Sequence, residues 1–257
     1  MRANVAKEHL RAGGVTIGTW LTLGNDLAAQ IVGNAGFEWV LVDMEHGPVP
    51  AEAAQHAITA LCTTPAVPLV RVTWNDSALI QAALDMGAFG VLVPMVESAA
   101  DARRAVRDAR YPPLGGRSRG GLRAPFAFAT DPVTYGLGAD DATLLLVQIE
   151  TVAGLDALEA IAAIDGVDVL FVGPSDLATS MGVWPIDLNR MPADYARAIE
   201  RVPGIAREHG KHAGILVYST DIAKRCIELG YAFVGVHSDA TLLAEAARGI
   251  TAAMGTR

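Results

Sequence analysis

Short, largely apolar runs recur along the chain, separated by stretches with the spacing of helices. The runs are Ile17 to Leu21, Trp39 to Val42, Leu69 to Val72, Gly90 to Val93, Leu144 to Ile149, Val169 to Val172, Gly214 to Val217 and Phe233 to Val236. Runs this short and this rich in Val, Leu and Ile predict strands buried on both faces, as in a parallel sheet. Helical patterns lie between most of them, at Ala51 to Leu61, Ser77 to Met86, Ala99 to Arg110 and Asp221 to Leu229. Eight strands alternating with helices predict an α/β protein of the (β/α)8 barrel type, one domain over residues 1–257, with Ala240 to Met254 as a last helix. An open doubly wound sheet is the alternative, but no Gly-x-Gly-x-x-Gly turn follows the first strand.

Two features punctuate this pattern. Gly33-x-x-Gly36-Phe37, Gly87-Ala88-Phe89 and Gly230-Tyr231-Ala232-Phe233 repeat one theme, a helix ending in glycine and an aromatic leading into the next strand. Glycine suits the left-handed position past a helix end, so the theme reads as helix termination. The stretch Tyr111 to Ala142 breaks the alternation with Pro112-Pro113, two glycine pairs and three arginines, Arg117, Arg119 and Arg123. It reads as a long loop, and a loop of that length inside a compact domain is either functional or a solvated or subunit-contacting excursion.

Composition narrows the class. The 257 residues are 51% hydrophobic and 19% charged, which suits a filled core and excludes a disordered chain. Lysine plus arginine number 20 against 28 acids, a net charge of −8, so no basic surface for nucleic acid is expected. A small anionic substrate would need a local arginine or a metal to offset that field. The two cysteines, Cys62 and Cys226, lie far apart in helix-like stretches and are expected to be reduced thiols. No apolar leader or 18-residue apolar span occurs, so a soluble cytoplasmic protein that does not enter membranes is expected.

The chemistry gathers where strands end. Glu150 follows one apolar run and Asp176 follows another by way of Gly173-Pro174-Ser175, 26 residues later. Both would lie at the carboxyl end of the sheet, where α/β proteins collect their ligands, and could hold one hard divalent cation. Asp43-Met44-Glu45-His46-Gly47-Pro48 follows the second strand, and Arg71 lies in the third. Asp43 is placed to orient the His46 ring and raise its basicity. Arg71 needs an anionic partner, either a substrate oxyanion or Glu45, and the substrate is the favoured reading. The three lysines, Lys7, Lys211 and Lys224, fall outside the strands, which disfavours a Schiff base. A cation that polarises a ketone is the other way to an enolate, and Mg²⁺ on two carboxylates leaves room for a bidentate 2-oxo acid. In the Gly173 turn, Ser175 and Asp176 would offer backbone N–H groups to the substrate carboxylate, because proline has none.

Taken in order, these residues resemble the HpcH/HpaI family of class II pyruvate aldolases over nearly the whole chain. The resemblance runs through Ile17-Gly18-Thr19-Trp20, the Asp43 to Pro48 segment, Arg71, Pro94-Met95-Val96, Arg110-Tyr111-Pro112-Pro113, Val147-Gln148-Ile149-Glu150-Thr151, Phe171 to Leu177 and Ala213-Gly214-Ile215-Leu216. It implies metal ligation by Glu150 and Asp176, the ion being Mg²⁺, Mn²⁺ or Co²⁺. Arg71 would hold the keto oxygen, and His46, oriented by Asp43, would move the proton of the aldol hydroxyl. Gln148 would bond near the metal, Gly173, Ser175 and Asp176 would line the carboxylate pocket, and Trp20 and Leu216 would shape the aldehyde side. The resemblance also implies a homohexamer with C-terminal helices swapped between barrels.

Met44, Gly47 and Ser175 depart from residues found in some members, and the segment Arg117 to Arg123 is more basic. One of its arginines, Arg123 foremost, is expected to bind an acceptor carboxylate or hydroxyls, in its own subunit or across an interface. The activity implied is reversible cleavage of a 4-hydroxy-2-oxo acid to pyruvate and an aldehyde. The alternatives are an acyl-CoA lyase of the malyl or citramalyl type or an oxaloacetate decarboxylase, both using the same enolate. A non-catalytic metabolite-binding barrel would require a lost site residue, and a phosphoenolpyruvate-using transferase would require a phosphate cradle; neither feature is found.

Overall fold

The computed structural model describes residues 1–187 and 190–255. Its strands are β1 (Thr16–Leu21), β2 (Trp39–Asp43), β3 (Val67–Arg71), β4 (Gly90–Val93), β5 (Leu144–Ile149), β6 (Val169–Val172), β7 (His212–Val217) and β8 (Phe233–Ser238). All pair in parallel with their sequence neighbours, and β8 closes on β1. The closed (β/α)8 barrel follows from the sequence pattern, because each run is apolar on both faces and has to be covered inside and out.

The inside is filled by aromatic rings that glycines on neighbouring strands make room for. The Trp39 ring stacks on Phe233 at 4.1 Å and lies where a side chain on Gly18 would be, 2.0 Å from an ideal Cβ. Outside, Val40, Val42, Val70, Val91 and Val147 face the surrounding helices in one continuous apolar layer. Gly36, Gly87 and Gly230, the glycines that precede strands, sit at φ 100°, 97° and 102°, the left-handed region that terminates a helix at no steric cost.

The amino end of the barrel is sealed by the helix Val5–Arg11. Asn4 donates to the carbonyls of Phe89 and Ala142 at 2.9 Å each, and the buried Lys7 Nζ reaches Thr143 O at 2.7 Å and Asp168 at 3.0 Å. Burial lowers the Lys7 pKa and Asp168 counters that effect.

The stretch from Tyr111 to Ala142 is not a structureless loop. It holds the helices Arg123–Ala127 and Pro132–Ala142, whose Ala124, Ala127, Phe128 and Tyr135 pack into the core at the barrel's amino end. The second of these starts on an Asp131 cap with proline in its first turn, the signature that sequence reading passes over when glycines follow. The C-terminal helix Asp239–Ala253 leaves its own barrel almost at once, and every residue from Glu245 to Gly255 is exposed. Among the described residues no helix is long and apolar enough to cross a membrane. Both cysteines are free thiols.

Candidate active site

A cavity of about 640 Å³ opens at the carboxyl ends of the strands. Trp20, Asp43, His46, Arg71, Gln148, Gly173, Ser175, Asp176 and Leu216, predicted from widely separated segments, all line it. Glu150 is not on the lining but is bonded to Gln148, which is, and is 2% exposed.

The register of β2 and β3 sets the first contact. Asp43 and Arg71 are direct cross-strand partners, each the last residue of its strand, so their side chains emerge side by side. Arg71 Nε donates to Asp43 Oδ1 at 2.9 Å and Nη2 to Oδ2 at 2.8 Å, a fork that fixes the guanidinium plane. Nη1 pairs with Glu45 Oε2 at 2.9 Å, and the guanidinium lies 4.4 Å from the Trp20 ring centre. The anionic partners of Arg71 are therefore Asp43 and Glu45, not a substrate alone. One hydrogen on each Nη remains for a ligand, since a guanidinium carries two there.

Asp43 does not orient the His46 ring. Its Oδ1 accepts from the backbone N–H groups of Glu45 at 3.1 Å and His46 at 3.3 Å, so it shapes the turn, while its two oxygens face Arg71. The ring of His46 is 61% exposed at the rim, and its carboxylate neighbour is Glu45, with Nε2 at 4.0 Å from Oε2. Glu45 was legible only as a possible partner of Arg71; its place two residues after Asp43 in the same turn was the available signal.

Glu150 is held from two sides. Met95 N donates to Oε1 at 2.7 Å, and the Gln148 side-chain amide donates to Oε2. Burial pushes the Glu150 carboxyl up to about 7; Met95 opposes this, whereas Glu45 and Asp176 add to it. Burial likewise takes Glu45 to about 7, with Arg71 lowering and Asp43 and Asp176 raising it. Carboxylates that crowd one another in a protein of net charge −8 fit a divalent cation.

Two further observations support that fit. An ideal Cβ on Gly173 would lie 2.9 Å from Glu150 Oε2 and 2.8 Å from Gln148 Nε2, so the glycine keeps this edge of the carboxylate open. Gln148 Oε1 is buried with no hydrogen-bond partner and stands ready for one. Among the described residues no three His, Cys, Asp or Glu side chains converge as a closed metal cage. Carboxylate oxygens with open positions suit a hard divalent cation better than a structural zinc.

Gly173 caps the helix Pro174–Ser180, with proline at its first position, so the free amides of the first turn belong to Ser175 and Asp176 at the cavity wall. None of the three lysines lines the cavity. Its outer wall adds residues that no sequence pattern marked, Trp184, Ile186, Tyr218 and Ile222.

Arg123 lies elsewhere. Its Nη2 donates to Thr59 Oγ1 at 3.1 Å and contacts Cys62 Sγ at 3.9 Å, at the C-terminal end of the helix Ala51–Leu61. That end faces the amino side of the barrel, so within one subunit Arg123 does not reach the cavity. Arg117 is buried against Asp85, 2.8 Å away, and Tyr135, 3.2 Å away.

The sequence matches the family described as HpcH/HpaI aldolase/citrate lyase over residues 16–246. A 4-hydroxy-2-oxo-heptane-1,7-dioate aldolase of Salmonella dublin is 40% identical over 252 residues, 98% of this chain and 95% of that one. Among solved structures, an HpcH/HpaI aldolase/citrate lyase family protein of Burkholderia cenocepacia J2315 superposes with a TM-score of 0.90 at 34% identity, covering 98% of this chain and 100% of its own. The HpcH/HpaI aldolase of Desulfitobacterium hafniense DCB-2 gives 0.86 at 29% identity, covering 96% and 95%.

Proposed function

The chain belongs to the HpcH/HpaI aldolase/citrate lyase family, and on that premise we propose how its residues act as a class II pyruvate aldolase. The enzyme is a carbon–carbon lyase that reversibly cleaves a 4-hydroxy-2-oxo acid to pyruvate and an aldehyde. The observation that supports the residue assignments is that Asp176, Arg71 and His46 line one cavity with Gln148, which bonds the buried Glu150, whose carboxyl is raised by burial and then by its acidic neighbours.

Glu150 and Asp176 would hold the cation, which supplies polarisation of the substrate's keto group. Ser175 and Asp176 offer their amides to the substrate carboxylate, and Gln148 steadies Glu150. Arg71, its plane fixed by Asp43, turns its remaining Nη hydrogens to the keto oxygen, where charge develops as the C3–C4 bond breaks. His46 takes the proton of the C4 hydroxyl as that carbon becomes the aldehyde carbonyl, and C3 receives a proton to give the pyruvate methyl. Addition runs the same steps backwards, and no atom is lost in either direction.

The bare outer surface of the helix Asp239–Ala253 supports a homo-oligomer in which a second copy covers this helix, in keeping with the hexamer that the resemblance implies. Leu243 and Ile250 are 65% and 66% exposed in the single chain, a cost that a partner barrel removes.

Deuterium exchange at the pyruvate methyl in D2O, followed by NMR, tests the first half of this chemistry without choosing an aldehyde. Exchange is expected with Mg²⁺ or Mn²⁺ and is expected to cease with EDTA. Exchange that survives full chelation would remove Glu150 and Asp176 from the metal role.

A further inference from the structure

We propose that the acceptor side of this cavity is built for a neutral aldehyde carrying an aromatic or comparably flat apolar group, rather than for an aldehyde with a carboxylate of its own. The proposal rests on the pyruvate-aldolase reading above and specifies its second substrate.

The cavity is far larger than pyruvate alone fills, and its outer part is walled by Trp184, Tyr218, Ile186, Ile222 and Leu216. Trp184 and Tyr218 are 57% and 51% exposed, so each leaves a broad aromatic face toward solvent within the subunit. Large rings left open beside a reacting centre are the usual lining of a site that takes an apolar group.

Charge argues in the same direction. A carboxylate on the acceptor would need a fixed cation, and Arg71, the one guanidinium on the lining among the described residues, is spanned by Asp43 and Glu45 and faces the keto oxygen. Asp43 and Asp176 stand on the same lining. Of the arginines in the segment Arg117 to Arg123, Arg117 is held by Asp85 and Arg123 by Thr59, both on the far side of the subunit. The Salmonella dublin relative is named for a 1,7-dioate, whose cleavage between C3 and C4 leaves a four-carbon aldehyde ending in a carboxylate. The wall of this cavity is not made for that end.

The wall is also preset rather than loose. Tyr218 follows β7 directly and meets the His237 ring edge-on, with centroids 6.2 Å apart at 76°. His237 sits near the end of β8 at φ 62°, a left-handed conformation that a side chain adopts only when its surroundings enforce it. Its Nδ1 is 3.7 Å from Glu245 Oε1 at the root of the C-terminal helix. Two strand ends therefore fix the tyrosine that faces the acceptor.

The test compares pyruvate addition to benzaldehyde and to 4-oxobutanoate by the intact metal-loaded enzyme, with methyl exchange measured alongside. The expected result is a kcat/KM at least about tenfold higher for benzaldehyde. Trp184→Ala and Tyr218→Ala should each lower the benzaldehyde to 4-oxobutanoate ratio by roughly 10- to 100-fold, the worth of one buried ring face. Quenching of tryptophan fluorescence by benzyl alcohol, an unreactive probe, should weaken in Trp184→Leu. A preference for 4-oxobutanoate overturns the proposal, and its loss in Arg123→Ala would place a neighbouring subunit's arginine at the mouth instead. A ratio unmoved in both wall variants overturns it too. Exchange present with either of those outcomes leaves the aldolase reading standing, whereas no exchange and no addition fells both.

Discussion

The backbone N–H of Met95 points at Oε1 of Glu150 across 2.7 Å, from a residue held at φ 55° just past β4. A non-glycine residue in that region is strained, and here the strain aims a donor at a buried carboxylate whose ionised form it favours. The amide rather than the side chain does this, so Met95→Gly should keep metal affinity and activity within about threefold while relieving about 1 kcal/mol of strain. Met95→Val, a β-branched residue that tolerates this φ poorly, should weaken metal binding by tenfold or more. Isothermal titration with Mn²⁺ on both variants checks the contrast; equal losses in the two would show that the methionine side chain matters instead.

Cation binding should depend steeply on pH. The Glu150 and Glu45 carboxyls are raised from 4.5 to about 7 in the unliganded protein. A group whose folded pKa is raised adds stability below its unfolded pKa and loses that contribution as pH climbs through the folded value. The metal-free protein should thus lose stability as pH climbs from 4.5 to about 7. The cation needs Glu150 deprotonated, so its affinity should rise by up to about tenfold per pH unit below 7 and level off above it. Melting curves with and without Mg²⁺ at pH 5.5 and 8 read this directly: the gap between them should widen at the higher pH, and a constant gap would contradict the assignment.

Gly173 is the cheapest place to disturb the site without touching a ligand. An added methyl would sit 2.8 Å from Gln148 Nε2 and 2.9 Å from Glu150 Cβ and Oε2, distances at which something has to move. Gly173→Ala should fold, since its φ of −94° suits any residue, yet lose methyl exchange by roughly 10- to 100-fold through a displaced Glu150. Circular dichroism paired with the exchange assay separates the two effects. An unimpaired exchange rate would mean that Glu150 has slack to give.

How much of this was legible depends on what kind of signal each residue carries. The strands were readable to within two residues at each end because burial on both faces keeps their centres apolar, and Glu150 and Asp176 could be picked out by counting past the last apolar residue. The partner of Asp43 was not readable. Sequence proximity suggested the His46 ring, but the register that sets Asp43 opposite Arg71 belongs to two strands and appears only once they pair. The helix Pro132–Ala142 hid behind Gly136 and Gly138, which depress helix propensity that tertiary packing of Tyr135 and Ala139 restores. Trp184 and Tyr218 lie in turns beyond their elements, where an aromatic residue obeys no period, so only the closed barrel reveals that they share a wall.

The sealed amino end offers a stability test remote from the chemistry. Asp168 faces Lys7 Nζ at 3.0 Å and Arg110 Nη2 at 2.8 Å, and it also accepts the Leu145 backbone N–H at 2.8 Å. Lys7 and Arg110 are 8% and 5% exposed, so the carboxylate is what makes two buried cations tolerable. Removing it strands both charges and one strand amide, which should cost about 3–5 kcal/mol, whereas removing one cation with a side chain of similar length should cost far less. Asp168→Ala is therefore expected to lower the melting temperature by roughly 6–20 °C and Lys7→Met by only a few degrees. Equal losses in thermal melts would mean that Lys7 acts through its bond to Thr143 O, which methionine also abolishes, and not through its charge.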